Sequence, residues 1–187
     1  IAVLADGRRF VNEACGYYDF TAAMVAKVRQ GQEVACWLIC DHQFQRRYGL
    51  GHAKPFPVSV NHEIRSGYLI KADSMEKLAE ACGIDVNGLT STVRAYNEHA
   101  RQGEDPEFGR GSTPYNRKMG DPTHGPNPCV APIERGPFYA VKVLPGSFAT
   151  FAGLKTNGNA QVTDKNGQPI KGLYAVGADM ASVMGGY

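Results

Sequence analysis

Two short apolar runs, FYAVKV from Phe138 and LYAVGA from Leu173, set the strongest constraint on how this chain can fold. Both are rich in β-branched and aromatic residues and lie among Gly and Pro, so each reads as a strand. Between them VTDKNGQPI carries Asn166-Gly167, a pair suited to positive φ at the tip of a tight hairpin. Pro137 sets the entry to the first run. The second ends in Gly177-Ala178-Asp179, where small residues admit close approach to the backbone and a carboxylate follows at once. The stretch 136–187 therefore reads as one wall of a cofactor site. Its last residue, Tyr187, follows Gly185-Gly186 where a functional loop is expected to continue.

Composition bounds the function classes. The 187 residues suffice for one good core or two small ones, and 43% hydrophobic with 20% charged residues is ordinary for a globular protein. A formal net charge of +2, without a Lys/Arg cluster, leaves no electrostatic footprint for nucleic acid. No apolar run reaches the ~20 residues that span a bilayer. The N-terminal IAVLADGRRF has neither the charged region nor the cleavage site of a signal peptide. It resembles the interior of a longer chain, a strand and turn without a start methionine, so a fragment is expected. Cys15, Cys36, Cys40, Cys82 and Cys129 form no CxxC and no metal spacing with histidine. An odd count without framework spacing suits a reducing cytoplasm, and no metal site is expected.

Taken in order, residues 1–10 read as strand, Asp6-Gly7 turn, strand. DFTAAMVAKVRQG reads as a helix capped by Asp19, with Phe20, Ala23, Met24 and Val28 on one face and Gly31 as the stop. EVACWLICD is a continuous apolar run and hence a buried strand. Asp41 is placed to cap a short helix, HQFQRRY, ending at Gly49, and residues 50–66 read as irregular. GYLIKAD is a strand. SMEKLAEACG is a helix with Ser74 or Asp73 at its start and Gly83 at its end. A second helix follows Asp85, with Leu89, Val93 and Tyr96 on its buried face. The Pro/Gly-rich stretch from Glu104 to Gly136 has little pattern, and so long a loop is either functional or wrapped over a neighbouring domain. The expected fold class is α+β in two parts. Strand-rich segments 1–13 and 136–187 share one layer, and 14–135 is an excursion between them.

The segments GRRFVNEACGYYDF, WLICDHQFQRRYGL, SMEKLAEACGIDVNGLTSTVRAYN, EDPEFGRG, GDPTHGPNPCVAPIERGPFYAVKVLPG and GLYAVGAD together resemble the fumarate reductase/3-ketosteroid dehydrogenase superfamily of FAD-dependent oxidoreductases. The likeness runs through nearly the whole chain in the family's order. The run from Tyr115 to Gly146 looks like the 3-ketosteroid Δ1-dehydrogenase branch. The resemblance implies a Rossmann-type FAD domain with an inserted cap that closes over the flavin. On that reading 1–13 and 136–187 are partial FAD domain and 14–135 is the substrate-capping domain. The GxGxxG that cradles a pyrophosphate at a helix N-terminus is absent from this sequence, and the family places it upstream. FAD is thus the implied cofactor of the parent enzyme, and this stretch alone is expected to be inactive and to bind it weakly or not at all. The implied partner is a small-molecule ketone or steroid-like substrate.

The same resemblance assigns residues. Tyr187 is similar to the tyrosine of a tyrosine-proline-glycine segment whose hydroxyl hydrogen-bonds the substrate's 3-keto oxygen, where enolate charge develops. Tyr17 falls where ketosteroid dehydrogenases place a cap tyrosine that takes the proton from C2 while FAD accepts a hydride from C1. A tyrosine with its free pKa of ~10 needs a helper for that task, and the family places that helper upstream. Tyr18 is the adjacent competitor, and period-two alternation leaves one of the two facing the site. Gly177, Ala178 and Asp179 match the strand-end segment that contacts FAD. Thr150, Ala152 and Gly153 match the stretch beside the isoalloxazine, with Ala152-Gly153 where Gly-Gly is common.

A fumarate or enoate reductase is the alternative within the superfamily. It needs cationic binders, yet Gln45 falls at the expected arginine position with Arg46 and Arg47 beside it. Phe148-Ala149-Thr150-Phe151 stands where a histidine pair holds the dicarboxylate. Aromatic residues there suit an apolar ketone better. His42, His52, His62, His99 and His124 show no metal spacing and read as surface or loop histidines. A stand-alone binding module is the remaining reading, opposed by the open look of both ends.

Overall fold

The computed structural model describes residues 1–147 and 150–185. Two compact units divide it, Ile1–Pro145 and Gly146–Tyr187. In the first, β1 (Ala2–Val3) leads through a turn at Gly7 to α1 (Tyr17–Lys27) and β2 (Cys36–Cys40). After β2 come α2 (His42–Tyr48), α3 (Asn61–Arg65), β3 (Ile70–Ala72), α4 (Met75–Cys82), α5 (Val86–Ala100), α6 (Pro114–Lys118) and β4 (Phe138–Val143). The four strands form one antiparallel sheet in the order β1-β2-β4-β3.

The continuous apolar run of β2 is explained by what covers it. Alternation sends Trp37 and Ile39 into one apolar cluster with Leu78, Leu89, Val93, Tyr96 and Ala140, built by α4, α5 and the sheet. Cys36 and Leu38 face the other way, to Met24, Phe10 and Phe20 of the α1 side. Cys40 joins Leu50, Leu69, Tyr139 and Val141 in a third cluster. A strand sandwiched on both faces needs no polar side.

Local signals placed most helices. Asp41 Oδ1 accepts from Phe44 N, Ser74 Oγ from Lys77 N and Asp85 Oδ1 from Gly88 N, and α4 stops at Gly83 in the left-handed region. Three expectations require correction. α1 begins at Tyr17 with Gly16 at the cap, and Asp19 lies in the first turn rather than capping it. Two five-residue helices, α3 and α6, occur where irregular chain was expected. β1 from 1–13 and β4 from 136–187 share one sheet, with β2 between them. β4 is hydrogen-bonded between β2 and β3, so residues up to Pro145 belong with the first unit. The LYAVGA strand ends early, at Tyr174.

The second unit holds β5 (Gln161–Thr163) and β6 (Pro169–Tyr174), an antiparallel pair, followed by a single 3₁₀ turn over Gly177–Asp179. Asn166-Gly167 does sit at the hairpin tip, where Asp164 Oδ1 accepts from Asn166 N and Gln168 N. Among the described residues no helix is long and apolar enough to cross a membrane, and no group of His, Cys, Asp or Glu could hold a metal ion.

Candidate functional site

Tyr17 is the first residue of α1, and its side chain is 86% exposed. Tyr18 follows it and is 52% exposed. Because the pair stands on a helix, the two side chains splay by about 100° rather than alternating, so exposure of one does not bury the other. Along the same helix Tyr18, Thr21, Ala22, Val25 and Ala26 line a shallow apolar hollow of about 360 Å³. The opposite side of α1 is anchored: Met24 is fully buried, and the Phe20 ring meets Phe10 edge-on at 5.3 Å.

The turn that launches α1 is held from far away in sequence. Arg9 makes a two-pronged contact with Glu13 at 2.7 and 3.0 Å and another with Asp105 at 2.6 and 2.9 Å. Its guanidinium also lies over the rings of Tyr96 and Phe108. Burial alone would raise the Glu13 pKa, but the Arg9 hydrogen bonds and nearby positive charge bring it down to about 2. Asp105 is lowered in the same contest between burial and Arg9, and Arg9 itself is raised by its two carboxylates against desolvation. Asn12 donates to Phe108 O and to Asn116 Oδ1, and Asn116 Nδ2 donates to Ala14 O. The unpatterned 104–136 stretch therefore clamps the start of the chain. Only the Arg9–Glu13 spacing of four hinted at this in the sequence; Asp105 and Asn116 carried no signal.

The predicted cofactor-contacting residues all lie within the second unit. Leu154 bridges Met180 in parallel, Leu154 N donates to Asp179 O, and Ala181 N donates to Leu154 O. This seam sets Gly153 beside Asp179 and Met180. A Cβ on Gly153 would lie 2.4 Å from the carbonyl carbon of Met180, so the seam requires glycine there. Gly177 has φ +61 with open space before it. Asp179 and its neighbours are exposed, as are Phe151, Leu154 and Val176. An open shelf of small residues, apolar side chains and one carboxylate fits one side of a flavin with its hydroxylated chain. A phosphate cradle is not part of it. Tyr187, Phe148 and Ala149 lie outside the described residues.

The two arginines weighed for dicarboxylate binding are otherwise engaged. Arg46 lies 3.9 Å over the Phe56 ring, and Arg47 pairs with Asp121 at 2.7 Å and donates to Thr123. Tyr48 also donates to Asp121, whose pKa that hydrogen bond and Thr123 lower to about 2. His42 Nδ1 lies 3.1 Å from Tyr139 Oη. A cleft of about 620 Å³, lined by Cys40, Phe44, Tyr48, Asn116, Cys129 and Ile133 among others, was not foreseen. All five thiols are free, and burial pushes Cys36 and Cys40 up to about 12.

The family model described as FAD binding domain matches residues 1–187. The chain belongs to the FAD binding domain family. One relative in that family, 4-oxocyclohex-2-ene-1-carboxylate 5-dehydrogenase of Sinomonas cyclohexanicum, is 46% identical over all of this chain and 32% of its own length. The crystal structure of 3-ketosteroid Δ1-dehydrogenase from Sterolibacterium denitrificans, in complex with 1,4-androstadiene-3,17-dione, is 38% identical with a TM-score of 0.91. The match covers 99% of this chain and 34% of that one. A flavocytochrome c3 fumarate reductase in its open conformation is 28% identical with a TM-score of 0.62, over 99% of this chain and 28% of that one. The chain thus spans about a third of the relatives it matches. Its mixed helix and strand fold is that of the FAD-dependent dehydrogenases, and FAD is the cofactor that family membership assigns to the parent enzyme.

Proposed function

We propose that this sequence is the substrate-facing third of an FAD-dependent dehydrogenase that desaturates a cyclic ketone beside its carbonyl. Tyr17 carries the reading: an exposed phenol at the head of a firmly anchored helix. Tyr17, as the phenolate formed when its own proton passes to the helper that the family places upstream, takes a proton from the carbon next to the carbonyl, the hydrogen on the neighbouring carbon leaves as hydride, and the C–C bond between them becomes double. FAD, when bound, supplies the two-electron acceptor for that hydride, and an external acceptor of unassigned identity reoxidises it. Tyr187 donates to the keto oxygen and so stabilises the enolate charge that develops there. Thr150, Ala152, Gly153, Gly177, Ala178 and Asp179 line one side of the flavin. Residues 14–135 act as the cap and the second unit as part of the FAD domain. Five free thiols, of which only Cys36 and Cys40 are buried, fit a reducing compartment such as the cytoplasm.

The test compares the complete polypeptide carrying this sequence with its Tyr17→Phe variant. Each receives a 3-ketosteroid or a 4-oxocyclohexane carboxylate, with an artificial electron acceptor. Tyr17→Phe is expected to lower kcat at least about 100-fold, the scale of a lost acid–base group. Flavin reduction by neither ketone class would overturn the reading. Fumarate reduction is the weaker alternative, because the guanidinium groups of Arg46 and Arg47 are committed to Phe56 and Asp121.

A further inference from the structure

Beyond the Arg9 cluster, the start of α1 is fixed by two further anchors, one apolar and one polar. The first is apolar, Met24 and Phe20 against the sheet side of the first unit. The second is a polar lock at the Tyr17 end. Asn116 is only 2% exposed, and its side chain is used on both sides. Nδ2 donates to Ala14 O at 2.9 Å, while Oδ1 accepts from Asn12 Nδ2 at 3.0 Å and from Gly111 N at 3.2 Å. Asn12 Oδ1 in turn accepts from Ala14 N. Ala14 is thereby gripped at both its N–H and its carbonyl, three residues before Tyr17. Asn116 is itself held in place: its N–H donates to Thr113 Oγ1 at the head of α6, and its carbonyl accepts from Cys129 Sγ. A buried amide with this many partners holds its geometry tightly, since each bond left unmade costs desolvation.

We propose that Asn116, acting with Asn12, is a positioning residue for catalysis: it sets where the Tyr17 hydroxyl stands over the substrate. The inference rests on the reading of Tyr17 as the proton acceptor. Without the amide lock α1 keeps its apolar seat, but its first turn is free to shift, and a reacting group displaced by about 1 Å can lose on the order of 100-fold in rate.

A double-mutant cycle in the complete flavin-loaded polypeptide tests this. Asn116→Ala and, as a second variant, Asn12→Ala are each expected to lower kcat roughly 10- to 100-fold with little change in KM. The isotope effect on substrate deuterated next to the carbonyl is expected to rise, because proton removal becomes slower. In a Tyr17→Phe background the same changes are expected to do almost nothing further, the non-additivity of groups acting as one. Full additivity with Tyr17→Phe, or a rise in KM at unchanged kcat, would overturn the proposal. So would loss of flavin or of cooperative unfolding in both variants, which would assign the amide pair to folding. An active Tyr17→Phe enzyme would instead sink the reading of Tyr17 itself, whatever Asn116 does.

Discussion

Arg9 is the residue on which the first unit most depends electrostatically. It neutralises two carboxylates, Glu13 and Asp105, whose side chains are 6% and 2% exposed. Replacing such a charge leaves buried Asp105 without a cation and Glu13 with only Arg110, at 3.4 Å, a loss of about 3–5 kcal/mol. Arg9→Met is expected to lower the unfolding free energy, measured by urea titration, by that amount, and Arg101→Met, whose pair with Glu134 is exposed, by under about 1 kcal/mol. The same cluster predicts acid sensitivity. Glu13 has a folded pKa of about 2, below its ordinary 4.5, so its ionised form is favoured by the fold. Its stabilising contribution is complete above the ordinary value and drains away as pH falls from there toward about 2. Urea titrations through that window are expected to show falling stability in the native chain and a shallower fall in Glu13→Gln, measured from that variant's own lower starting point. The pair was half legible: Arg9 and Glu13 sit four residues apart, but Asp105 lies 96 residues away and nothing local marks it as their partner.

Elements whose ends carry their own chemistry were readable, and those held by distant contacts were not. Asp41, Ser74 and Asp85 cap as their positions imply, because a side-chain oxygen reaching an N–H three residues on is a purely local event. α1 departs from its expected start because the 12–16 turn is fixed by Asn116, and no local rule reports that. α6 left a trace in Thr113-Pro114, a cap followed by a first-turn proline, whereas α3 has Val60 at its cap and no side-chain bond to betray it. α5 offers a sharp test of which effect wins at an element's end. Gly88 lies in its first turn, where alanine would gain up to about 1 kcal/mol in helix propensity. A Cβ there would stand 2.0 Å from Asp6 O, and Asp85 N donates to Ala5 O across the same contact. Backbone cannot retreat as a flexible side chain does, so Gly88→Ala is expected to destabilise by more than about 1 kcal/mol. A melting point equal to or above that of the native chain would show that the turn yields.

At the scale of the molecule, the three apolar clusters all lie within the first unit. In the second, the only buried apolar residues among those described are Val162 and Ala175. The residues proposed to line FAD were picked out by local signals: glycine, small side chains and a carboxylate. The seam that joins their segments, Leu154 against Met180, was not legible, because it joins segments with no shared pattern. The sequence reads β4 as the start of the returning strands; in the structure it is bound into the first sheet by its pairing with β2 and β3. These facts bear directly on cofactor retention. A tight small-molecule site encloses about 70–90% of its ligand, and a dinucleotide's pyrophosphate is held by N–H groups at a helix N-terminus. The wall at Gly153 and Gly177–Asp179 is exposed and offers one side only, and no GxGxxG occurs in the sequence to hold the phosphates. The 187-residue chain mixed with excess FAD and desalted is therefore expected to emerge without flavin absorption, whereas the complete polypeptide keeps its flavin through the same column. A stoichiometric yellow complex of the 187 residues alone would mean that this open wall binds FAD without a phosphate cradle.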